Sequence, residues 1–293
     1  MFLDLRSKID KKISLFFEKE QIKSIEKNSL DYFGINISSE INKDFEFKIY
    51  FNHKKSWEIY LQHKKNPLID FLFENNFANF LTVVFDKNHK DSSRYDVGLA
   101  NRETKNTQKI FKFLEKNCSF FNKFKNEIKD LSLMKTIELD DHTFDSFYFL
   151  ALIKNGNDEI LKCHWLNKVY SFETEFNNNE YYLDFIEKSN IEGFKKLLPT
   201  TKTILKNCNA SIWMEGIDYN QNQSQKHKIY INKFDDCYEG LIKTFKNNSK
   251  LKKEIENIRS WNKIHKEFIC KGFAYGIDKN NNSTLNFYFR FKK

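Results

Sequence analysis

The chain is poor in the residues that break a fold or staple it. Its 293 residues include 2 prolines and 8 glycines, which excludes a Pro/Gly-rich linker between domains. The 5 cysteines, Cys118, Cys163, Cys208, Cys237 and Cys270, are odd in number and scattered, with no C-x-x-C pair. That excludes zinc or dithiol redox chemistry on neighbouring thiols, and buried free thiols are expected. No stretch approaches the roughly 18 uncharged apolar residues of a membrane-spanning helix, and the opening MFLDLRSKIDKK is charged too early for a secretory signal. A single cytoplasmic domain over residues 1–293 is therefore expected.

What the chain does have is aromatic and basic. Hydrophobic residues make up 40% and aromatics 16%, with 31 Phe, enough for a large core, while 30% of residues are charged. The net charge of +9 admits nucleic acid, an anionic membrane surface or an anionic small substrate. The lysine-rich stretches 8–27 and 250–266 read as solvated helix faces.

One pattern recurs. GIDKNNNSTLNFYFRF at 276 repeats the layout of GIDYNQNQSQKHKIYIN at 216 and GLANRETKNTQKIFKF at 98: a glycine strand, a polar turn, then alternating polar and apolar residues. A strand sends successive side chains to opposite faces. Phe45, Phe47, Ile49 and Phe51 therefore oppose Glu46, Lys48 and Tyr50. Ile229 and Ile231 likewise oppose Lys228, Tyr230 and Asn232, and Leu285, Phe287, Phe289 and Phe291 oppose Asn286, Tyr288 and Arg290. Strand pairs are predicted near 34–51, 80–114, 145–170, 209–232 and 268–291, the third turning at Asn155-Gly156, a hairpin signal. Helices are predicted over 7–27, 67–75, 119–130, 181–198, 235–245 and 250–267. Such a mainly antiparallel sheet hides its edges by closing into a ring with the apolar face outward under the helices. A flat sheet with one wet face shows the same alternation, so both remain open.

In order and spacing, these strands resemble the ABBA aromatic prenyltransferases, and within them the cyanobactin-type peptide prenyltransferases. The likeness rests on FKIYFNHKKSWEIYLQH with its W-x-x-Y-L at Trp57 to Leu61, on Gly98-Leu99-Ala100 with Lys109, on Ser211 to Gly216 with Ile229-Tyr230-Ile231, and on Tyr275-Gly276 with Asn286 to Arg290. Each motif is short, but the series spans nearly the whole chain. The resemblance implies an α+β PT-barrel, ten antiparallel strands surrounded by helices in five αββα repeats. It further implies transfer of a dimethylallyl or longer prenyl group from its diphosphate to an electron-rich side chain of a peptide, or to a small indole or phenol.

Ionising an allylic diphosphate builds negative charge on the leaving group and a carbocation on the prenyl chain. The first needs fixed cations, the second aromatic faces that exclude water. The inward residues supply candidates: Lys48, Lys109, Lys228 and Arg290 for the diphosphate, Tyr50, Tyr148, Tyr230 and Tyr288 to shield the cation, and His164 and Trp213 as acceptor wall. Strand parity in QKIFKF also permits Lys112 in place of Lys109. The related enzymes carry an arginine where this chain has Glu46, so Lys48 takes its place two residues on. They also carry an early glutamate that removes the acceptor proton, for which Glu40, placed on the inner face of the first strand, and Glu46 are the candidates here.

DDHTFD at 140–145 is similar to the aspartate-rich motif of helical prenyl synthases, but its spacing is one residue longer and it precedes a strand, so it reads as a loop. Magnesium is expected through the substrate diphosphate, with no protein metal site and no organic cofactor. A monomer is expected, its partners dimethylallyl diphosphate and a peptide or aromatic acceptor, without nucleic acid or membrane. Ending at Lys293, directly after the last strand, the chain is expected to leave the barrel mouth open to a large acceptor. Two other classes fit the composition. A single-strand nucleic-acid binder would stack bases on the basic aromatic face, though no RRM, OB or KH signature is present. A lipid carrier would want an apolar interior.

Overall fold

The computed structural model describes residues 30–292, apart from 63–65, 87–93, 101–102, 134–136, 140–141, 156–157, 167–178, 189–190, 223 and 234–236. Ten strands close a ring in which every hydrogen-bonded neighbour is antiparallel: β1 (Leu30–Ser38), β2 (Glu46–Phe51), β3 (Ala78–Asp86), β4 (Arg94–Leu99), β7 (Phe147–Asn155), β8 (Asp158–Leu166), β9 (Ala210–Asn220), β10 (Ser224–Lys233), β11 (Phe268–Asp278) and β12 (Ser283–Phe291), with β12 returning to β1. A separate hairpin pairs β5 (Ile137–Leu139) with β6 (His142–Phe144). The ring, not the flat sheet, is what the alternation encodes. Phe33, Ile35 and Ile37 of β1, Phe47, Ile49 and Phe51 of β2, and Leu285, Phe287 and Phe289 of β12 are all buried, and these outward rows form the core beneath the helices.

Eight helices occur among the described residues: α1 (His53–Gln62), α2 (Pro67–Glu74), α3 (Thr104–Asn117), α4 (Phe121–Leu133), α5 (Asn179–Lys188), α6 (Glu192–Cys208), α7 (Tyr238–Thr244) and α8 (Ser249–Ile264). Local chemistry sets their ends. Asn66 and Asn248 accept from the amides of Leu68 and Leu251, each at 3.0 Å, capping α2 and α8, and Pro67 occupies the first turn of α2. The W-x-x-Y-L motif lies on α1 and serves packing: Trp57 meets Tyr60 at 5.2 Å and Phe73 at 4.6 Å between ring centroids, and the Tyr60 hydroxyl donates to Asp70 at 2.5 Å. All five cysteines are buried thiols.

Three expectations are corrected. The second strand pair is Ala78–Asp86 with Arg94–Leu99, and residues 104–117 are helix, not strand. Buried Asn106, Thr107, Ile110, Phe111 and Leu114 follow helical spacing, which overrides the short alternation in QKIFKF. The helix predicted over 181–198 is two helices, the second running through Pro199 to Cys208. In DDHTFD, His142 to Phe144 form a strand paired with β5, and Asp145 beyond it is buried and accepts from the Thr104 hydroxyl at 2.8 Å; Asp140 and Asp141 lie outside the described residues. So does the helix predicted over 7–27.

Candidate active site

Because antiparallel partners share a face, the register sorts the barrel lining into tiers. One end is cationic. Lys228 pairs with Gly216 of β9 and Gly276 of β11, and Lys162 and Lys226 each pair with Asp218. The Asp218 carboxylate accepts from Lys162 Nζ at 3.0 Å and from Lys228 Nζ at 2.7 and 2.8 Å. Lys48 lies close enough to depress both Lys162 and Lys226, and Arg94 depresses Lys162 and Lys228. Burial and this mutual repulsion, offset by Asp218, bring Lys162 down to about 7 and Lys226 and Lys228 to about 8. For Asp218, burial raises the pKa, but the two lysines outweigh it and hold the carboxyl well below the usual range. Four lysines therefore face two carboxylates, Asp218 and, beside Lys48, Glu46, an excess of positive charge that suits a multiply charged anion.

Above this tier lies a cavity of about 410 Å³ walled by Tyr50, Tyr148, Phe149, His164, Trp213, Tyr230 and Tyr288, with Arg94 and Asp96 in its side. Tyr288 stands 5.9 Å from Tyr50 and 6.2 Å from Tyr230 between ring centroids, and Trp213 lies 6.1 Å from Tyr230. The Tyr230 hydroxyl is 3.1 Å from His164 Nε2. Burial, then Lys228, lowers His164 to about 3, so the imidazole is neutral, and its tautomer sets which of the two groups donates in the bond to the phenol. Burial raises Tyr230 and Tyr288 well above the ordinary range, keeping both phenols protonated. Glycine lets these rings lie against the wall: a Cβ on Gly216 would meet His164 Cδ2 at 2.1 Å. Arg94 and Asp96, two residues apart on β4, form a buried two-point ion pair, with Nε to Oδ1 at 2.6 Å.

The sequence candidates divide accordingly. Lys48 and Lys228 belong to the cationic tier, and Tyr50, Tyr148, Tyr230, Tyr288, His164 and Trp213 line the cavity. Lys109 does not reach the interior: it is exposed on α3, its ammonium 5.8 Å from the Phe77 ring centroid. Lys112 is on the same helix and borders an outer groove. Arg290 faces inward but at the far rim, 5.4 Å from the Tyr32 ring centroid. It stands six residues along β12 from Thr284, the partner of Gly276, or roughly 20 Å from the lysine tier at the rise of a strand.

Glu40 lies beyond the end of β1 and is exposed, so the inner-face placement is corrected; its carbonyl accepts from Lys43 N at 3.2 Å. Glu46 is inside, but Asn36 donates to it at 2.8 Å, and Lys43 and Lys48 sit at 3.3 and 3.8 Å. Burial raises its pKa, and these partners together bring it down to about 2, which makes it a weak base. Sequence reasoning misses Lys162, Lys226, Arg94, Asp96 and Asp218. The parity that identifies Lys228 also points to Lys226 two residues before it, and Lys162 stands two before His164.

No protein-family model matches the sequence, and no curated protein matches it. Solved structures match the fold. The NotF prenyltransferase aligns with a TM-score of 0.62 at 8% identity, covering 89% of this chain and 80% of that one. AnaPT from Neosartorya fischeri aligns at 0.58 and 8% identity over 89% and 77%. PriB, in a ternary complex with L-tryptophan and dimethylallyl thiolodiphosphate, aligns at 0.55 and 9% identity over 88% and 79%. The chain has the PT-barrel fold of these enzymes.

Proposed function

We propose that the chain is a prenyltransferase that moves a dimethylallyl or longer prenyl group from its diphosphate to an aromatic acceptor. The observation that carries this reading is the stacking of a lysine tier only partly neutralised by its carboxylates directly beneath a tyrosine-walled cavity inside a closed barrel. Lys48, Lys162, Lys226 and Lys228 hold the diphosphate, and Asp218 fixes two of those ammonium groups before the substrate arrives. The bond between prenyl C1 and the diphosphate oxygen breaks, with its electron pair leaving on the diphosphate. The faces of Tyr50, Tyr230 and Tyr288 then shield the allylic cation from water until the acceptor's π electrons or a heteroatom lone pair form the new bond. A protonated or arenium intermediate is strongly acidic and needs only a weak base. Asp96, the carboxylate in the cavity wall, takes that proton in place of Glu40, which is exposed, and Glu46, which is paired with Lys48 outside the cavity lining. Burial raises the Asp96 pKa, but Arg94 outweighs this and holds it below the usual range, so it is a weak base of the kind the step needs.

Magnesium would arrive on the substrate. The amide oxygens Asn36 Oδ1 and Asn286 Oδ1, on cross-strand partners in the tier of Glu46, have no hydrogen-bond partner among the described residues. They are hard neutral oxygens of the kind magnesium accepts beside phosphate, so Asn36, Asn286 and Glu46 would hold such an ion, which would neutralise charge on the leaving group. Among the described residues no group of three His, Cys, Asp or Glu side chains forms a dedicated metal site.

Brevianamide F is bound by NotF and L-tryptophan by PriB, and we take an indole or phenol ring as the acceptor class here. A peptide side chain is the finer form of the proposal. It is supported by a cavity that reaches solvent at exposed Lys271, where the rest of a large acceptor can stay outside. A base-stacking surface is disfavoured because the basic aromatic face is turned inward, and a lipid carrier because that face is charged. The test is mass spectrometry after incubation with dimethylallyl diphosphate, magnesium, aromatic amino acids and linear and cyclic peptides. One added dimethylallyl unit supports the proposal and names the acceptor. No product with five-, ten- or fifteen-carbon donors, together with no diphosphate binding, overturns it.

A further inference from the structure

Cross-strand register slips once between β11 and β12: Cys270 pairs with Phe289 and Gly272 with Tyr288, leaving Lys271 as the extra residue of a bulge. A bulge re-aims a side chain that regular pleating would send elsewhere. Next to the bulge, Gly272 packs closely on β10: a Cβ there would meet the Ile231 carbonyl oxygen at 2.5 Å. The result is an exposed lysine that nonetheless lines the aromatic cavity, beside Gly272 and Tyr288.

The charges of the cavity wall otherwise cancel. Arg94 and Asp96 satisfy each other, and His164 is neutral. Lys271 makes no ion pair among the described residues, and among them no carboxylate other than Asp96 lines the cavity. On the neighbouring strand, Arg290 adds a second positive charge at the same rim. The lysine tier that suits a diphosphate lies at the opposite end of the strands, so Lys271 stands apart from the diphosphate site.

We propose that Lys271 forms a carboxylate-binding subsite at the barrel mouth, which orients the acceptor by an anionic group while its ring enters among Tyr230, Tyr288 and Trp213. The inference rests on the transfer reading above and adds to it that the acceptor carries a carboxylate, from either a free amino acid or a peptide end.

The experiment uses matched pairs: L-tryptophan against L-tryptophanamide, and a short peptide ending in tryptophan as its acid against its amide. Binding is measured by calorimetry with dimethylallyl thiolodiphosphate in the donor site, and transfer by kcat/KM. The wild type should prefer the acid by about tenfold, the size of one partly screened charge-assisted hydrogen bond. Lys271→Met should abolish the preference, Lys271→Arg should retain it, and Lys271→Glu should reverse it, all with an unchanged Tm. A preference in the first pair alone assigns a free amino acid, and in the second alone a peptide terminus. Equal binding of acid and amide by the wild type, or a preference that survives in Lys271→Met, overturns the subsite. Because the binding arm needs no turnover, a protein that shows the preference without transferring prenyl would sink the enzymatic reading and leave the subsite standing.

Discussion

The two ends of the barrel interior are lined by the same strands yet differ in what they leave undone. At the lysine end, charge is not balanced: Lys162 and Lys228 share Asp218, and burial together with repulsion among the cations has already lowered their pKa values to about 7 and about 8. At the aromatic end, charge is balanced except for Lys271 at the rim and space is not filled, with about 410 Å³ open among neutral rings and one closed ion pair. The first arrangement specifies its ligand narrowly, since only a multiply charged anion relieves it. The second specifies a shape and an aromatic surface, and leaves identity to whatever touches the rim. Such a division lets one donor serve many acceptors.

Removing a lysine should break this comparison most sharply. Lys162→Met or Lys228→Met takes a preorganised cation from the site of developing negative charge, and each should lower kcat/KM by about 10² to 10³. Donor affinity should fall and acceptor affinity should hold. Steady-state kinetics and separate titrations of donor and acceptor distinguish these effects, and a variant that lost the acceptor instead would end the assignment of roles to the two ends. Next in size is the aromatic end. Tyr230→Leu deletes a ring from the shield, and a desolvated cation–π contact of about 2 kcal/mol corresponds to a rate loss of about 30-fold. Tyr230→Phe keeps the ring, loses only the hydroxyl to His164, and should cost about 1 kcal/mol in stability with transfer changed a few-fold.

pH separates the two ends without mutation. Bound diphosphate favours the protonated lysines, so donor affinity should fall as pH rises above about 7, where Lys162 loses its proton, and again above about 8 for Lys226 and Lys228. The slope approaches about tenfold per pH unit for each lysine in its titrating range. Stability of the ligand-free protein should move the other way. Unfolded lysines titrate near 10.4, so between about pH 7 and 10 the unfolded chain binds more protons, and these groups make the fold more stable as pH rises. Above about pH 10 the buried phenols Tyr230 and Tyr288, whose folded pKa values are raised, lose stability and reverse the trend. Urea unfolding at pH 7, 8 and 9, with and without donor analogue, checks both signs. A flat profile would mean that the lysines are not crowded.

What the sequence makes legible follows parity. Wherever a strand alternates cleanly, as in FEFKIYF and LNFYFRF, its inner row can be named from the residues alone, and Lys48, Lys228, Tyr50 and Tyr288 emerge that way. Arg94 and Asp96 escape it because a turn expected after Leu99 makes RYDVGL the first strand of its pair instead of the second. Asp218 and Lys162 pair across β8 and β9, a contact 56 residues apart in sequence that no local pattern announces. The rim lysine depends on a register slip, and slips are set by how two strands meet rather than by either strand alone.

The smallest effect belongs to Lys109, and it tests the boundary between inside and outside. A short run, QKIFKF, satisfies both strand and helix patterns, and placing it on a strand would put Lys109 in the chamber with the diphosphate. On α3 it is exposed and rests near the Phe77 ring, where loss of the ammonium removes about 0.5 to 1 kcal/mol of cation–π stabilisation. Lys109→Ala should therefore lower Tm slightly and leave donor affinity, acceptor affinity and kcat where they were. A collapse of diphosphate binding in this variant would require residue 109 to line the barrel. That would move the second hairpin, displace Arg94 and Asp96 from the cavity wall, and undo the charge balance on which the contrast between the two ends depends.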